Sequence, residues 1–255
     1  MPVRPIRLKL IASLLAVLPL YSLASEWSYS GNNAPDHWAM LDTSGSFATC
    51  AKGTAQSPID IPRASTTHIN AASASLNINY QRSPLNLVNN GHSIQANVAG
   101  DSNLQFQGKT YKLLQFHFHS PSEHLFNGKR FPMEMHWVNQ APDGSLLVVA
   151  AMIESGKNNA QLEHIWSKML PQKKGTHVAI SQAQAPDLSM ILPSASKHFF
   201  YKGSLTTPPC TEGVQWVLFE QPLQLSADQI GAFQHIFADN HRPAAAINQR
   251  EIDED

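Results

Sequence analysis

The chain has only two cysteines, only 15% charged residues, and no apolar run of the ~20 residues that a bilayer requires. Low charge together with 17 prolines excludes a coiled coil. Eighteen Lys and Arg stand against 19 Asp and Glu, a formal net charge of -1, so no single-sign field exists to attract a nucleic-acid backbone or an anionic membrane. A small neutral or singly charged substrate fits better. Internal repeats, low-complexity stretches and linkers are also missing, and 255 residues favour one folded domain. Aromatics are few, at 8%, but their spread along the chain argues against disorder.

The first apolar stretch is too short to be a membrane anchor. Arg4, Arg7 and Lys9 precede the run from Leu10 to Leu20, which contains Pro19, and Ser22-Leu23-Ala24 supplies small residues for a signal peptidase. Residues 1–24 are therefore expected to be a cleaved signal peptide, with a domain spanning 25–255 and no membrane insertion after cleavage. No Cys stands directly after the cleavage point, which speaks against a lipoprotein. The mature chain keeps 15 basic and 19 acidic residues, a charge of -4, and ends in the acidic stretch from Glu251 to Asp255, read as a solvated terminus. In an exported protein, periplasmic or secreted, Cys50 and Cys210 are expected to form one disulfide; two buried thiols are the alternative.

Strand-like runs dominate the remainder: Leu76 to Tyr80, Leu85 to Val88, Ser93 to Val98, Asn103 to Gln107, Thr110 to His119, Met133 to Val138, Leu146 to Ile153 and Val214 to Gln221. Gly108-Lys109 reads as a two-residue hairpin turn with Gly first. Leu162, Ile165, Trp166 and Met169 follow helical spacing after Asn158-Asn159, with Pro171 as the stop. Ser226 and Gln229 form a capping box ahead of Ile230, Phe233 and Phe237. Strands that follow one another without intervening helices predict a largely antiparallel sheet with a few helices outside it, a mainly β, α+β fold.

The chemistry concentrates in two of these strands. Gln115-Phe116-His117-Phe118-His119 alternates polar and aromatic residues, which places Gln115, His117 and His119 on one face and both Phe toward the core. Met133-Glu134-Met135-His136-Trp137-Val138 alternates likewise, with Glu134, His136 and Val138 sharing a face. If the strands are neighbours, three imidazoles converge. Three His and no Cys describe a zinc site with an open fourth position, the catalytic type. Gln115 and Glu134, each two residues before a ligand on the same face, are suited to hold the other imidazole nitrogens.

These residues resemble the alpha-class carbonic anhydrases, in particular the exported bacterial members. The resemblance covers about Trp27 to Arg250. It rests on Gln56-Ser57-Pro58-Ile59-Asp60, Asn89-Asn90-Gly91-His92, Gln115 to His119, Ser122-Glu123-His124, Glu134-Met135-His136-Trp137 and Ser204-Leu205-Thr206-Thr207-Pro208-Pro209, in that order. It implies one domain around a central, mostly antiparallel twisted sheet of about ten strands. It implies Zn2+ on His117, His119 and His136, and a zinc hydroxide that attacks carbon dioxide to give bicarbonate and a proton. By the same resemblance Thr206 donates to Glu123 and accepts from the hydroxide, as a hydroxyl with one donor and two acceptor positions can. Thr207 would contact bicarbonate, and Val138, Val148, Leu205, Val214 and Trp216 would form the apolar wall for carbon dioxide. His92 matches the proton shuttle, with Tyr29, Asn90, Gln95 and Thr207 ordering water along the path. Cis bonds at Ser57-Pro58 and Pro208-Pro209, the Cys50–Cys210 bridge, weak esterase activity and inhibition by sulfonamides are further implications. The chain would act as a monomer or homodimer.

Two other readings compete. His117-x-His119-x-x-x-Glu123 also matches the metal motif of cupins, where Glu123 would be a ligand to iron or manganese, but that reading leaves Glu134 and the Thr206 segment unexplained. A carbonic-anhydrase-like module that binds without catalysing would have lost zinc ligands, and this chain retains all three.

Overall fold

The computed structural model describes residues 26–70, 74–170, 173–194 and 197–255. The expected signal peptide and its cleavage point, Pro171 and the side chain of Met169 lie outside them. Among the described residues no helix is long and apolar enough to cross a membrane.

A sheet of thirteen strands organises the chain, and ten of them form one continuous path. In spatial order these are His177–Ile180, Leu85–Asn89, Ile94–Val98, Lys109–His119, Met133–Gln140, Leu146–Ser155, Glu212–Phe219, His198–Ser204, Asp253–Glu254 and Thr67–His68. Most neighbours are antiparallel. At the centre, however, Leu146–Ser155 pairs parallel with Glu212–Phe219, Leu147 opposite Gln215. Parallel neighbours need a long crossover, and here it contains the helix Ala160–Met169 and the strands His177–Ile180 and His198–Ser204.

All eight expected strands are present. The strand His198–Ser204 was not foreseen, because it is buried on both faces and reads as a contiguous Phe199-Phe200-Tyr201 run without alternation. The expected hairpin turn is displaced by one residue. Phe106 pairs with Lys109, so the loop is Gln107-Gly108 with φ of 49° and 77°. Positive φ at both positions is what a type I′ turn requires, with Gly second and Lys109 already in the ladder. Nor is the acidic C-terminus merely solvated. Asp253–Glu254 pairs with Phe199 and Phe200 on one side and Thr67 and His68 on the other, and the Asp255 carboxylate accepts from His198 N at 2.7 Å and Nδ1 at 2.9 Å.

Leu146–Ser155 shows why a near-continuous apolar run sits mid-sheet. Leu147, Val149, Ala151 and Ile153 enter the main core, whereas Val148, Ala150 and Met152 join a second cluster on the opposite face with Ile59, Phe199, Tyr201, Trp216 and Leu218. Two helices cover the main core. Ala160–Met169 is capped by the Asn159 side chain, which accepts from Gln161 N and Leu162 N; Ala227–Gln234 carries both halves of the Ser226–Gln229 capping box. Such caps contribute about 1 kcal/mol each. Leu162, Ile165, Trp166, Ile230, Phe233 and Phe237 are buried as their spacing predicts. Phe118 lies between the helices, its ring edge-on to Trp166 at 4.7 Å and to Phe233 at 6.0 Å. The strand bearing the paired histidines is therefore anchored from behind.

Candidate metal centre

A β-bulge aims that strand. In Lys109–His119 the register against Met133–Gln140 shifts between Leu113 and Gln115. Before the shift Tyr111 and Leu113 face the core; after it Phe116 and Phe118 do, and Leu114 is left 38% exposed. One extra residue switches the alternation, which turns His117 and His119 away from the core. Beyond the bulge His117 lies opposite His136 and His119 opposite Glu134. Continuing across the sheet, His136 faces Ala150, a small residue that leaves room beside the imidazole.

His117, His119 and His136 bring three ligand-capable nitrogens within 4.8 Å of one another. Each ring is held by an acceptor at its other nitrogen. His117 Nδ1 donates to Gln115 Oε1 at 2.8 Å and His136 Nε2 to Glu134 Oε1 at 2.6 Å, the two supports expected from spacing. His119 Nδ1 donates instead to the main-chain carbonyl of Asn240 at 2.7 Å, a support 121 positions away that no local pattern announces. His119 Nε2 is buried and without a hydrogen-bond partner. A buried imidazole nitrogen left unpaired beside two others is costly in a protein and natural in a metal site. Burial, and the charge each imidazole would place on its neighbours, hold His117 well below the ordinary histidine range; burial likewise lowers His119. Both are thus in the neutral, metal-binding form at neutral pH.

The support behind Glu134 extends further than the sequence suggested. Its Oε2 accepts from Glu123 N at 2.8 Å and His124 N at 2.7 Å, and Oε1 accepts from His124 Nδ1 at 2.7 Å besides His136. Burial alone would raise this carboxyl, but His124 and His136 hold it well below its usual range. Because His124 donates from Nδ1, its Nε2 accepts from Tyr201 O–H at 2.6 Å, and Tyr201 in turn accepts from Ser57 Oγ at 2.7 Å. His124, Glu134 and His136 also cluster closely, but these hydrogen bonds consume their facing atoms, so this set is a brace and not a second ligand shell.

Glu123 is fully buried. Its Oε1 accepts from Arg242 N at 2.8 Å, while Oε2 has no hydrogen-bond partner and lies 3.5 Å from His119 Nε2. The bond expected from Thr206 is therefore not made in this structure, although Thr206 is buried at 5% exposure. Thr206 and Thr207 sit in the loop after His198–Ser204, where Cys210 N donates to Thr207 O at 2.8 Å. Cys210 is bonded to Cys50, with Cα atoms 5.0 Å apart. The Ser57-Pro58 and Pro208-Pro209 bonds are cis, as is Ser120-Pro121, which was not anticipated. Arg242 was missed as well; its guanidinium donates to Gln56 Oε1, Ser57 O and Cys50 O, clasping the N-terminal segment to the loop that holds Glu123.

Val138, Val148 and Trp216 form a cross-strand row beside the His117–His136 row. Val148, Val214 and Trp216 are buried, and Val138 and Leu205 pack half-buried on the same cluster. His92 stacks face to face on Trp27, ring centres 3.8 Å apart, with Tyr29 edge-on at 6.4 Å. Gln95 lies opposite His117, donates to Asn97 Oδ1 at 2.7 Å and accepts from Asn90 Nδ2 at 3.5 Å. Burial, with the carboxylates of Glu123 and Asp239 adding to it, pushes the Tyr29 hydroxyl well above its usual range.

A sequence model of the eukaryotic-type carbonic anhydrase family matches residues 33–254. The chain belongs to the alpha carbonic anhydrases. It is 38% identical over 241 residues to the carbonic anhydrase of Klebsiella pneumoniae, covering 93% of this chain and 94% of that one. The Photobacterium profundum alpha-carbonic anhydrase structure is 40% identical, with a TM-score of 0.81 over 89% of this chain and 99% of that chain. The Thermovibrio ammonificans alpha-carbonic anhydrase, solved with the inhibitor sulfanilamide, is 36% identical with a TM-score of 0.84, covering 89% and 98%. As a carbonic anhydrase the chain is an enzyme of the reversible hydration of carbon dioxide, and the cupin and non-catalytic readings fall away. The open sheet also differs from a cupin barrel, and the third imidazole comes from the neighbouring strand, not from a second glycine-rich motif.

Proposed function

We propose that this carbonic anhydrase works with zinc held by His117 and His119 through Nε2 and by His136 through Nδ1. The observation that carries the proposal is the convergence of three ligand nitrogens whose partner nitrogens are already engaged, with His119 Nε2 buried and unpaired. Three neutral imidazoles suit the task because they leave the ion's full charge to act, where thiolates would offset it. Bound zinc supplies the Lewis acidity that makes water a nucleophile at neutral pH. The protein's residues do the rest. Glu123 Oε2, buried and unpaired, offers an acceptor for the Thr206 hydroxyl, which then presents only acceptor positions to the nucleophile. Val138, Val148, Leu205, Val214 and Trp216 give the uncharged substrate an apolar wall, and Thr207 contacts the bicarbonate product.

His92 removes the proton of each turnover, with Tyr29, Asn90, Gln95 and Thr207 ordering the water between. Burial, followed by the nearby Lys174 charge, lowers the His92 pKa, which keeps the ring an unprotonated acceptor at neutral pH. Residues 1–24 direct export to the periplasm or beyond, a reading supported by the Cys50–Cys210 disulfide. Sulfonamide inhibition is expected to extend to this chain.

Stopped-flow hydration by residues 25–255, before zinc removal, after it and after restoration, tests the proposal. Activity that vanishes and returns with one zinc per chain is the expected result; one bound zinc without hydration would overturn it. Glu134→Ala should weaken zinc binding by roughly 10- to 100-fold, as loss of a ligand's hydrogen-bond partner does, in a competition titration against a chelator. Unchanged affinity would remove Glu134 from the support.

A further inference from the structure

The loop that carries His92 is internally fixed by the Asn90 side chain, whose Oδ1 accepts from His92 N and Ser93 N at 2.8 Å each. What fixes the loop against the metal ligands is a different set of contacts, and they converge on Phe118, the residue between His117 and His119. Ser93 Oγ donates to Phe118 O at 2.5 Å and accepts from Phe118 N at 3.1 Å. Asn240 Nδ2 donates to the same Phe118 carbonyl at 3.0 Å and to His92 O at 2.7 Å. The remaining polar groups of Asn240 reach the last residue of the ligand strand and Ser120 directly after it. Its Oδ1 accepts from Ser120 N at 2.6 Å, its N–H donates to Ser120 O at 2.9 Å, and its carbonyl holds His119 Nδ1. Asn240 and Ser93 are 2% and 4% exposed, so these bonds are shielded from bulk solvent.

We propose that Asn240 and Ser93 are positioning residues that tie the His92 loop to the ligand strand at Phe118, and that proton transfer depends on this tie. The inference rests on the reading of His92 as the proton shuttle. Trp27 holds the imidazole ring by stacking, while the tie sets where the backbone carrying that ring stands relative to His117 and His119. Transfer through ordered water needs a path of constant length, and misplacement of about 1 Å is enough to slow a positioned reaction severely. Phe118 is well suited as the node. Its ring is locked under Trp166 and Phe233, so its carbonyl does not follow the loop.

The test uses zinc-loaded protein in weak buffer with Ser93→Ala, Asn240→Asp and His92→Ala. Asn240→Asp keeps the Oδ1 acceptor and the carbonyl to His119 but loses both N–H donors. His92→Ala should lower kcat at least about tenfold, with rescue by imidazole. Ser93→Ala should lower kcat roughly three- to tenfold while kcat/KM stays within about twofold, because the hydration step precedes proton export. Imidazole should restore Ser93→Ala, and that substitution should not slow His92→Ala further, the non-additivity expected of groups acting through one another. Nuclear Overhauser contacts between the Trp27 indole and the His92 ring should weaken in Ser93→Ala, a readout independent of turnover. A parallel fall of kcat and kcat/KM in Ser93→Ala, additivity with His92→Ala, or wild-type kcat in both variants while His92→Ala is slow, would each sink the tie. Wild-type kcat in His92→Ala would instead refute the shuttle reading. Should Asn240→Asp fail to fold, Ser93→Ala decides the matter alone.

Discussion

Replacement of His119 by alanine should abolish zinc binding and lower carbon dioxide hydration by more than about 10³-fold, several kcal/mol of lost Lewis-acid stabilisation. The expectation follows from what this imidazole does. It is 1% exposed, its Nδ1 is bound to Asn240 O, and its Nε2 has no partner among the described residues. Removing it leaves two ligands, one fewer than a catalytic zinc site uses. The substitution also leaves the Asn240 carbonyl without its donor, so the variant must be shown to fold before its activity is interpreted. Phe116 and Phe118, on the other side of the strand, keep their core contacts, and near-ultraviolet circular dichroism should remain native. Zinc content by elemental analysis, paired with stopped-flow rates, gives the result. A folded His119→Ala protein that retains zinc and most of its activity would exclude the assigned ligand set.

Loss of the disulfide should produce the largest change in stability. The bridge closes a loop between positions 160 apart, for which the chain-entropy model gives about 5 kcal/mol of unfolded-state constraint, with enthalpic and solvation effects able to reduce it. The joint substitution Cys50→Ala and Cys210→Ala should therefore shift the urea midpoint strongly downward, and the slope of the transition should rise because the released chain exposes more surface. The same bond steadies the loop that carries Thr206 and Thr207. Cys210 ends the turn containing Thr206 and Thr207, and the carbonyls of Cys50 and Cys210 accept from Arg242 Nη2 and Gln56 Nε2. Activity should accordingly fall in reductant at temperatures where the fold persists. A difference below about 1 kcal/mol in urea would show that the reduced chain is held together by other contacts.

Legibility in the sequence followed the range of the interaction. The capping box at Ser226, the helix that follows Asn158-Asn159 and the helical spacing of Ile230 and Phe233 are local, and they appear as read. The turn at Gln107-Gly108 was displaced by one residue because sequence shows the glycine but not which of its neighbours enters the ladder. The parallel pairing of Leu146–Ser155 with Glu212–Phe219 left no local mark, since strands buried on both faces read alike in either direction. The Thr206–Glu123 bond, inferred from resemblance alone, is an expected contact that the structure does not make.

By itself the sequence determined which side chains share a face on the two histidine-bearing strands. A period of two is a local property of extended backbone, so His117, His119 and Gln115 had to share a face, as did His136 and Glu134, whatever surrounded them. Only the tertiary structure decided that the strands are neighbours, with His117 opposite His136, and that a bulge at Leu113 to Gln115 turns the ligand face from the core. It also decided that Asn240 supports His119, that Tyr201 and His124 brace Glu134, and that Arg242 holds Glu123. Several of these contacts join segments more than a hundred residues apart. Their partners are chosen by packing of Phe118, Trp166 and Phe233 across the main core and by the path of the returning chain, neither of which a local pattern of residues encodes.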